Sequence, residues 1–303
     1  MIERIQESLL KTQNPDGGWG TEQDKRSQTE ATVFAVLALH SLKEPEFAQP
    51  LALGTQWLTQ QQRADGSWPL MVGLSGASWV TSLGVFALVL FDGQRPQVVR
   101  GAEWLLRQKG RTLGPQASRR FREAPETMDV LLNPDLQGWA WADETFSWVE
   151  PTAYALLALK KLRPVLDTVE ARARVQEGEL LLYDRMCTGG GWNYGNKRVL
   201  GEELPPYPDT TAVALIALQD HQDREANQVS LRALRNMLQQ VQSGLTLSWA
   251  MLCFSLYGQD VAEWRPLLAK SYERTGFLGE TKSLALALLA CSEGASVFRI
   301  PQR

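Results

Sequence analysis

The chain has 303 residues, 44% of them apolar, and a formal net charge of −3 from 31 basic and 34 acidic side chains. That length can bury a large core, and the even mixture of charges leaves no electrostatic case for nucleic acid. No apolar run reaches the ~18 residues of a membrane span, and MIERIQESLL lacks the features of a secretory signal.

Cys187, Cys253 and Cys291 stand far apart with no CxxC spacing. They read as small core hydrophobes in a reducing compartment, so a cytoplasmic location is expected. His40 and His221 are each isolated in sequence, which argues against a zinc site.

From the N-terminus onward, two kinds of segment alternate. IERIQESLLKTQ opens the first kind, with Ile2, Ile5 and Leu9 at helical spacing and charge on the other face. LALGTQWLTQQQ, VVRGAEWLLRQ, EGELLLYDRMC, LRALRNMLQQV and AEWRPLLAKSY continue it. The second kind is apolar nearly all round. TEATVFAVLAL from Thr29, VEPTAYALLAL from Val149 and PDTTAVALIAL from Pro208 superimpose without gaps. WVTSLGVFAL, LTLSWAMLCFSL and ETKSLALALLA are looser copies. Repetition of this sort marks a helical array. Six amphipathic helices alternating with six apolar ones predict an all-α (α/α)6 toroid, with the apolar helices as the inner ring and residues 1–303 as a single domain.

The connections fall into two classes. Those running from inner to outer helix are polar and Pro-bearing, such as KEPEFAQP and DGQRPQ. Those running from outer to inner helix include DGGWG (16–20), DGSW (65–68), QGWAW (137–141) and GGGWNYG (189–195). The stretch from Lys109 to Gly138 is far longer than the ~12–15 residues usual in compact domains. It carries Arg111, Arg119, Arg120 and Arg122, and is expected to be mobile or to close over the barrel mouth.

WLTQQQRADGSW (57–68) has an aromatic, an aliphatic, three residues, Gln, a short spacer and then Gly–any–Trp; LLKTQNPDGGW (9–19) follows it except at Ser8. The pattern resembles the repeat of the squalene–hopene cyclase and prenyltransferase superfamily. The resemblance implies that Trp57, Gln62 and Trp68 are structural. Gly for a tight turn and Trp to cover a helix end give the same reading.

Aligning the inner segments on Thr32, Thr152 and Thr211 puts Glu30, Glu150 and Asp209 at one position, with Trp79 there in the second hairpin and Gly279 in the sixth. Two readings stay open for these acids. Asp209 suits an N-cap, and Ser27–Glu30 and Ser147–Glu150 fit capping boxes. Alternatively, all three look into a cavity. PDTTA (208–212) resembles the acid motif of class II terpene cyclases, with Asp209 at the central position and Tyr207 where the first Asp would stand. That resemblance implies that Asp209 is a general acid protonating an alkene. Such chemistry needs a dry pocket and aromatic faces for the cation. Trp79, Trp141, Trp148, Trp192, Tyr194 and Tyr207, with Glu30 and Glu150, are the candidate lining residues.

Three functions compete. One is an isoprenoid cyclase or isomerase without a redox cofactor; a diphosphate-bearing substrate would bring in the arginines of the 109–138 stretch and Mg2+, although no metal motif is present. The second is a non-catalytic toroid that binds an isoprenoid or other apolar molecule, a membrane surface or a partner protein. The third is an (α/α)6 glycosidase using a pair of these carboxyls. A zinc prenyltransferase and a thioester toroid lack their required residues here. A deep apolar pocket reaching Asp209 would favour the first function, and a centre filled by side chains the second.

Overall fold

The computed structural model describes residues 1–76, 78–111, 113–124 and 132–301. Thirteen α-helices lie within them, and twelve form the expected alternation. The outer helices are α1 (Ile2–Lys11), α3 (Ala48–Gln61), α5 (Pro96–Arg107), α8 (Val169–Asp184), α10 (Glu225–Met237) and α12 (Arg265–Thr275). The inner helices are α2 (Thr29–Leu42), α4 (Thr81–Val89), α7 (Val149–Lys161), α9 (Pro208–Ala217), α11 (Gly244–Leu256) and α13 (Thr281–Cys291). Each inner helix packs on the next, and α13 returns to α2, so the ring closes. A two-stranded hairpin, β1 (Arg198–Val199) with β2 (Glu202–Glu203), projects from the loop before α9.

The inner helices lack a polar face because both of their sides are covered. Val33 through Leu39 are fully buried in α2, and the same holds for Ala212 through Ala217 in α9. The outer helices bury one stripe, as Ile5 and Leu9 do in α1. No helix among the described residues is long and apolar enough to cross a membrane.

The four Gly–Trp loops share one set of hydrogen bonds. The backbone N–H groups of Trp19, Trp68, Trp139 and Trp192 donate to the hydroxyls of Thr32, Thr81, Thr152 and Thr211 at 2.9–3.0 Å. Their indole N–H groups donate to the carbonyls of Leu9, Leu58, Leu105 and Leu182, at the inner-facing ends of the outer helices. Each Trp thus ties an outer helix to the first turn of an inner one. Gln13 and Gln62 extend the tie sideways, donating to Pro50 in α3 and Gln97 in α5. Gly17 and Gly66 are required in these turns. Both have φ near +90°, and a Cβ would lie 2.8 Å from Leu53 O and 2.6 Å from Arg100 O respectively.

A second set of bonds links neighbouring hairpins. Thr29 N–H donates to Leu70 O and its hydroxyl to Pro69 O, the two residues after Trp68. Thr281 does the same to Thr21 O and Gly20 O, after Trp19, and so joins the end of the chain to its beginning. Val149 N–H donates to Tyr194 O, two residues after Trp192.

The floor of the barrel was not foreseen. A 3-10 turn, Gly294–Phe298, carries Phe298 under the inner ring, where it stacks on Phe86 with ring centroids 5.5 Å apart. Gln219 and Lys161 hold this tail through the carbonyls of Phe298 and Val297. The 109–138 stretch also departs from expectation, because it contains a further helix, α6 (Pro115–Glu123). Its described contacts include Asp184 and Arg185, at and just beyond the C-terminal end of α8, Arg174 and Glu177 within α8, and the loop at Thr145. Residues 125–131 lie outside the described residues.

Replacing Thr32 or Thr152 by the isosteric Val leaves a buried Trp N–H without its acceptor. Each substitution should lower unfolding stability by about 1–3 kcal/mol in urea melts. Loss of less than ~0.5 kcal/mol in both would show that these bonds do not hold the hairpins together.

Candidate functional site

The inner helices all begin at one end of the barrel, so their first turns surround its mouth. The Thr–Trp bonds place Glu30, Glu150 and Asp209 at equivalent positions there. In the sixth hairpin the matching bonds of Thr281 and Thr29 give a different register from the one read in the sequence. The equivalent of Glu30 is Lys282, not Gly279. A gapless comparison misses this because the TKSL segment lacks the Thr that anchors the other copies to a Trp.

None of the three acids is a cap. The N-cap residues are Gln28, Trp148 and Tyr207, without side-chain cap bonds, and Asp209 sits one residue inside the helix behind Pro208. The two expected capping boxes do not form either. Ser27 Oγ donates to Asp16, and Ser147 Oγ accepts from Gly138 N–H, so both hydroxyls belong to the Gly–Trp loops. What was read as capping is loop bracing.

Freed of that role, the acids interact with one another and with Lys282. The Lys282 ammonium forms an ion pair with Glu30 at 2.7 Å and stands 5.3 Å from the centre of the Phe34 ring. Burial acts to lower the Lys282 value, but the carboxylates of Glu30, Glu150 and Glu280 outweigh it and hold the ammonium above the usual lysine value. Glu150 is pushed up to about 7, first by burial, then by the charges of Asp209 and Glu30, against the opposing pull of Lys282. Desolvation has therefore beaten the helix N-terminus at Glu150.

Below the acids an aromatic column runs down the barrel axis. Trp141 meets the edge of Trp79 at 4.7 Å, Trp79 stacks on Tyr154 at 6.1 Å, and Tyr154 leans on Trp249 at 6.4 Å. Trp249 then contacts Phe34 and Phe298. Phe34, Phe86, Tyr154, Trp249 and Phe298 are all at most 3% exposed, so the centre is filled by side chains. A cavity of about 30 Å3 beside Trp79, Trp104, Trp139 and Pro151 has room for about one water. While these side chains fill the barrel axis, a larger ligand on it must therefore sit at the mouth.

The other candidates divide. Trp79, Trp141 and Trp148 are half-buried around the mouth. Tyr194 and Tyr207 pair at 5.0 Å on its exposed rim. Trp192 does not line the mouth. It is fully buried between α8 and α9 and serves as one of the four Trp ties. Tyr154 and Lys282 were missed. The spacing Glu150–Tyr154 places both on one helix face and could have been noticed; Lys282 was hidden by the register.

At the opposite end, Glu179, Asp220 and His221 bring three ligand-type atoms within 4.8 Å of one another. The fully buried Lys160 ammonium lies 2.7 Å from Glu179 and 2.6 Å from Asp220. It supplies the positive charge that a metal would bring, and the cluster works as a buried ion network fastening α7, α8 and the turn after α9.

Residues 2–114 match the family described as the squalene–hopene cyclase N-terminal domain. No curated protein matches the chain in sequence. Among solved structures, the type II terpene cyclase MstE from Scytonema superimposes with a TM-score of 0.61 at 14% identity, covering 98% of this chain and 97% of that one. Variants of that cyclase are known in complex with its substrate, geranylgeranyl dihydroxybenzoate, and its product, merosterolic acid A. An α-1,6-mannanase of Salegentibacter sp. HEL1_6 aligns with a TM-score of 0.61 at 9% identity, over 98% of each chain. An α-amylase from Clostridium perfringens aligns with 0.62 at 11%, over 97% of each. The resemblance to the squalene–hopene cyclase and prenyltransferase superfamily is thus carried in sequence by residues 2–114 and in fold by the whole chain. Because glycosidases share the toroid, the fold alone does not choose the chemistry.

Glu150 predicts a pH dependence. Its folded-state value of about 7 lies above the ordinary 4.5, so between those values the folded chain keeps a proton that the unfolded chain has lost. Stability should therefore fall as pH rises through that window, by at most ~3 kcal/mol. Glu150→Gln should remove the slope, measured as unfolding midpoints of both proteins from pH 5 to 8. A wild-type protein that gains stability relative to Glu150→Gln over this range would contradict the assignment.

Proposed function

We propose that the protein is a terpene cyclase-like enzyme of the class II type, in which a carboxyl group at the barrel mouth protonates an alkene of an isoprenoid substrate. One arrangement carries the reading: three acids in equivalent first-turn positions serve no capping role, and burial with its acidic neighbours pushes one of them, Glu150, up to about 7, within reach of proton transfer at neutral pH. Burying such groups works against stability, and convergent titratable groups with perturbed values are what proton-transfer sites contain.

Asp209 is the residue that the motif resemblance marks as the acid. The electrostatics favour Glu150 as the proton holder, with Asp209 the neighbouring carboxylate that helps to keep it protonated. The proton passes from the carboxylic acid to one alkene carbon, the other becomes a carbocation, and the carboxylate left behind recovers a proton when the final cation loses one. A carboxyl with a raised value is a weak donor. The Asp209 carboxylate and the faces of Trp79 and Trp141 offset this by stabilising the cation that the transfer creates. No redox cofactor enters, and an isoprenoid is the substrate class that suits an apolar, aromatic-walled site.

The filled barrel axis favours a second reading, a toroid that binds an isoprenoid at its mouth without converting it. Turnover separates the two. Squalene and prenyl diphosphates of several lengths should be offered to the wild type, Glu150→Gln and Asp209→Asn, with cyclic products read by mass spectrometry. The cyclase reading expects product from the wild type and a loss of several orders of magnitude in Glu150→Gln. Undiminished activity in both variants would remove these carboxyls as the acid, and no product from the wild type would leave the binding toroid.

A further inference from the structure

The underside of the barrel is closed by the chain itself. The segment from Gly294 to Ile300 brings Phe298 onto the barrel axis, 5.5 Å from Phe86 and 5.6 Å from Trp249 between ring centres. Val297, Phe298 and Ile300 are buried, so apolar contact seats the segment. Its hydrogen bonds differ in kind from those of the Gly–Trp loops. Among the described residues no backbone bond joins 294–300 to another element, and two side chains make all of its hydrogen bonds to the barrel. The Gln219 amide donates to Phe298 O and accepts from Ile300 N–H. The Lys161 ammonium donates to Val297 O and Arg299 O. The segment leaves α13 through Glu293, whose φ of +56° is uncommon outside glycine.

The Lys161 ammonium has no counter-charge. It stands at the C-terminal end of α7, where the helix dipole favours a cation, but no carboxylate pairs with it among the described residues. Burial and the charge of Arg299 push its value down to about 8. His40, tilted on the Phe91 ring at 4.7 Å, is lowered in turn by burial, Lys43 and Lys161. Neutral carbonyls therefore occupy a place where a half-buried cation would gain more from an anion. Above that place is the aromatic space that Phe298 fills. The segment thus presents itself to the barrel as an amphiphile does, with acceptor oxygens at the rim and an apolar group within.

From this arrangement we infer that segment 294–300 occupies a ligand site for an apolar chain ending in a carboxylate, with Lys161 and Gln219 receiving the carboxylate oxygens and Phe86 and Trp249 facing the chain. Ligand and segment compete for one place, so binding displaces Phe298 from the axis. A hydrocarbon fills the aromatic space but leaves the ammonium and the amide without acceptors, and an alcohol brings no charge to Lys161. The site lies at the end of the barrel opposite Glu30, Glu150 and Asp209, and the inference goes beyond the reading of the mouth and needs no turnover there.

The test is displacement of the segment in the full chain. Val297→Cys puts a thiol on the segment, and its alkylation by iodoacetamide, resolved by peptide mass spectrometry, reports departure from the barrel. Cys253, fully buried in α11, reports unfolding in the same sample. Farnesoate should speed labelling at Val297→Cys saturably, by about tenfold, while Cys253 stays unlabelled. Farnesol and farnesene should need concentrations about tenfold higher for the same effect. Lys161→Met, made together with Val297→Cys, should reduce farnesoate to the level of farnesol. Hydrogen exchange gives the same readout without substitution, since farnesoate should speed exchange of the Arg299 and Ile300 N–H groups in the wild type. Labelling that never exceeds the rate of Cys253, farnesene as effective as farnesoate, an undiminished farnesoate effect in the Lys161→Met protein, or wild-type exchange unchanged by farnesoate overturns the inference. Cyclic product in the mouth assay beside any of those results keeps the cyclase reading while removing this one. Displacement by farnesoate in a protein that makes no product does the reverse.

Discussion

The structure depends on a buried backbone N–H being satisfied in the same way four times. The turns close on themselves just before the Trp, with Asn14 N–H donating to Gly18 O, Arg63 N–H to Ser67 O and Cys187 N–H to Gly191 O, and the Trp N–H takes a threonine hydroxyl from the first turn of the coming helix. That bond fixes the rotation of the inner helix about its axis, and the indole bond fixes its height against the outer one. The toroid is therefore a set of hairpins locked in register rather than an array held by apolar contact alone. The register has a chemical consequence, because it brings residues two before each of three threonines to a common ring at the mouth.

Capping and catalysis compete for the same residue types, and the loops resolve that competition. Ser27 and Ser147 would complete capping boxes if the chain were free to form them, but both brace the Gly–Trp turns. Glu30 and Glu150 are left facing the axis. Lys282 then neutralises one acid, and the rest of the ring carries enough negative charge, in dry enough surroundings, to keep Glu150 protonated near neutral pH. The filled column beneath leaves the rim, not the axis, as the open part of the barrel end that carries these acids.

Most of the architecture was legible in the sequence, because a helix covered on both sides must be apolar on both sides, and a six-fold alternation of such segments admits few folds. Trp79, Glu30, Glu150 and Asp209 were legible as a group because their hairpins share an alignable Thr, and Trp141 because its loop leads to one of these acids. Three features were not. Lys282 sits in a copy without that Thr, so its register could be read only from the bonds of Thr281. Trp192 looked like its neighbours in the loop, yet its burial between α8 and α9 depends on which side of the turn it leaves. The Phe298 floor comes from a tail whose sequence, GASVFRI, carries no periodicity to announce where it packs.

The central claim is that the helix register assembles a ring of acids in which Glu150 is protonated near neutral pH. Infrared difference spectroscopy tests it most directly, by comparing the carboxylic C=O stretch of the wild type and Glu150→Gln at pH 6. The account predicts a protonated-carboxyl band in the wild type that is missing from Glu150→Gln and fades as pH is raised through about 7. A wild type with no such band, or one whose band persists unchanged in Glu150→Gln, would contradict it.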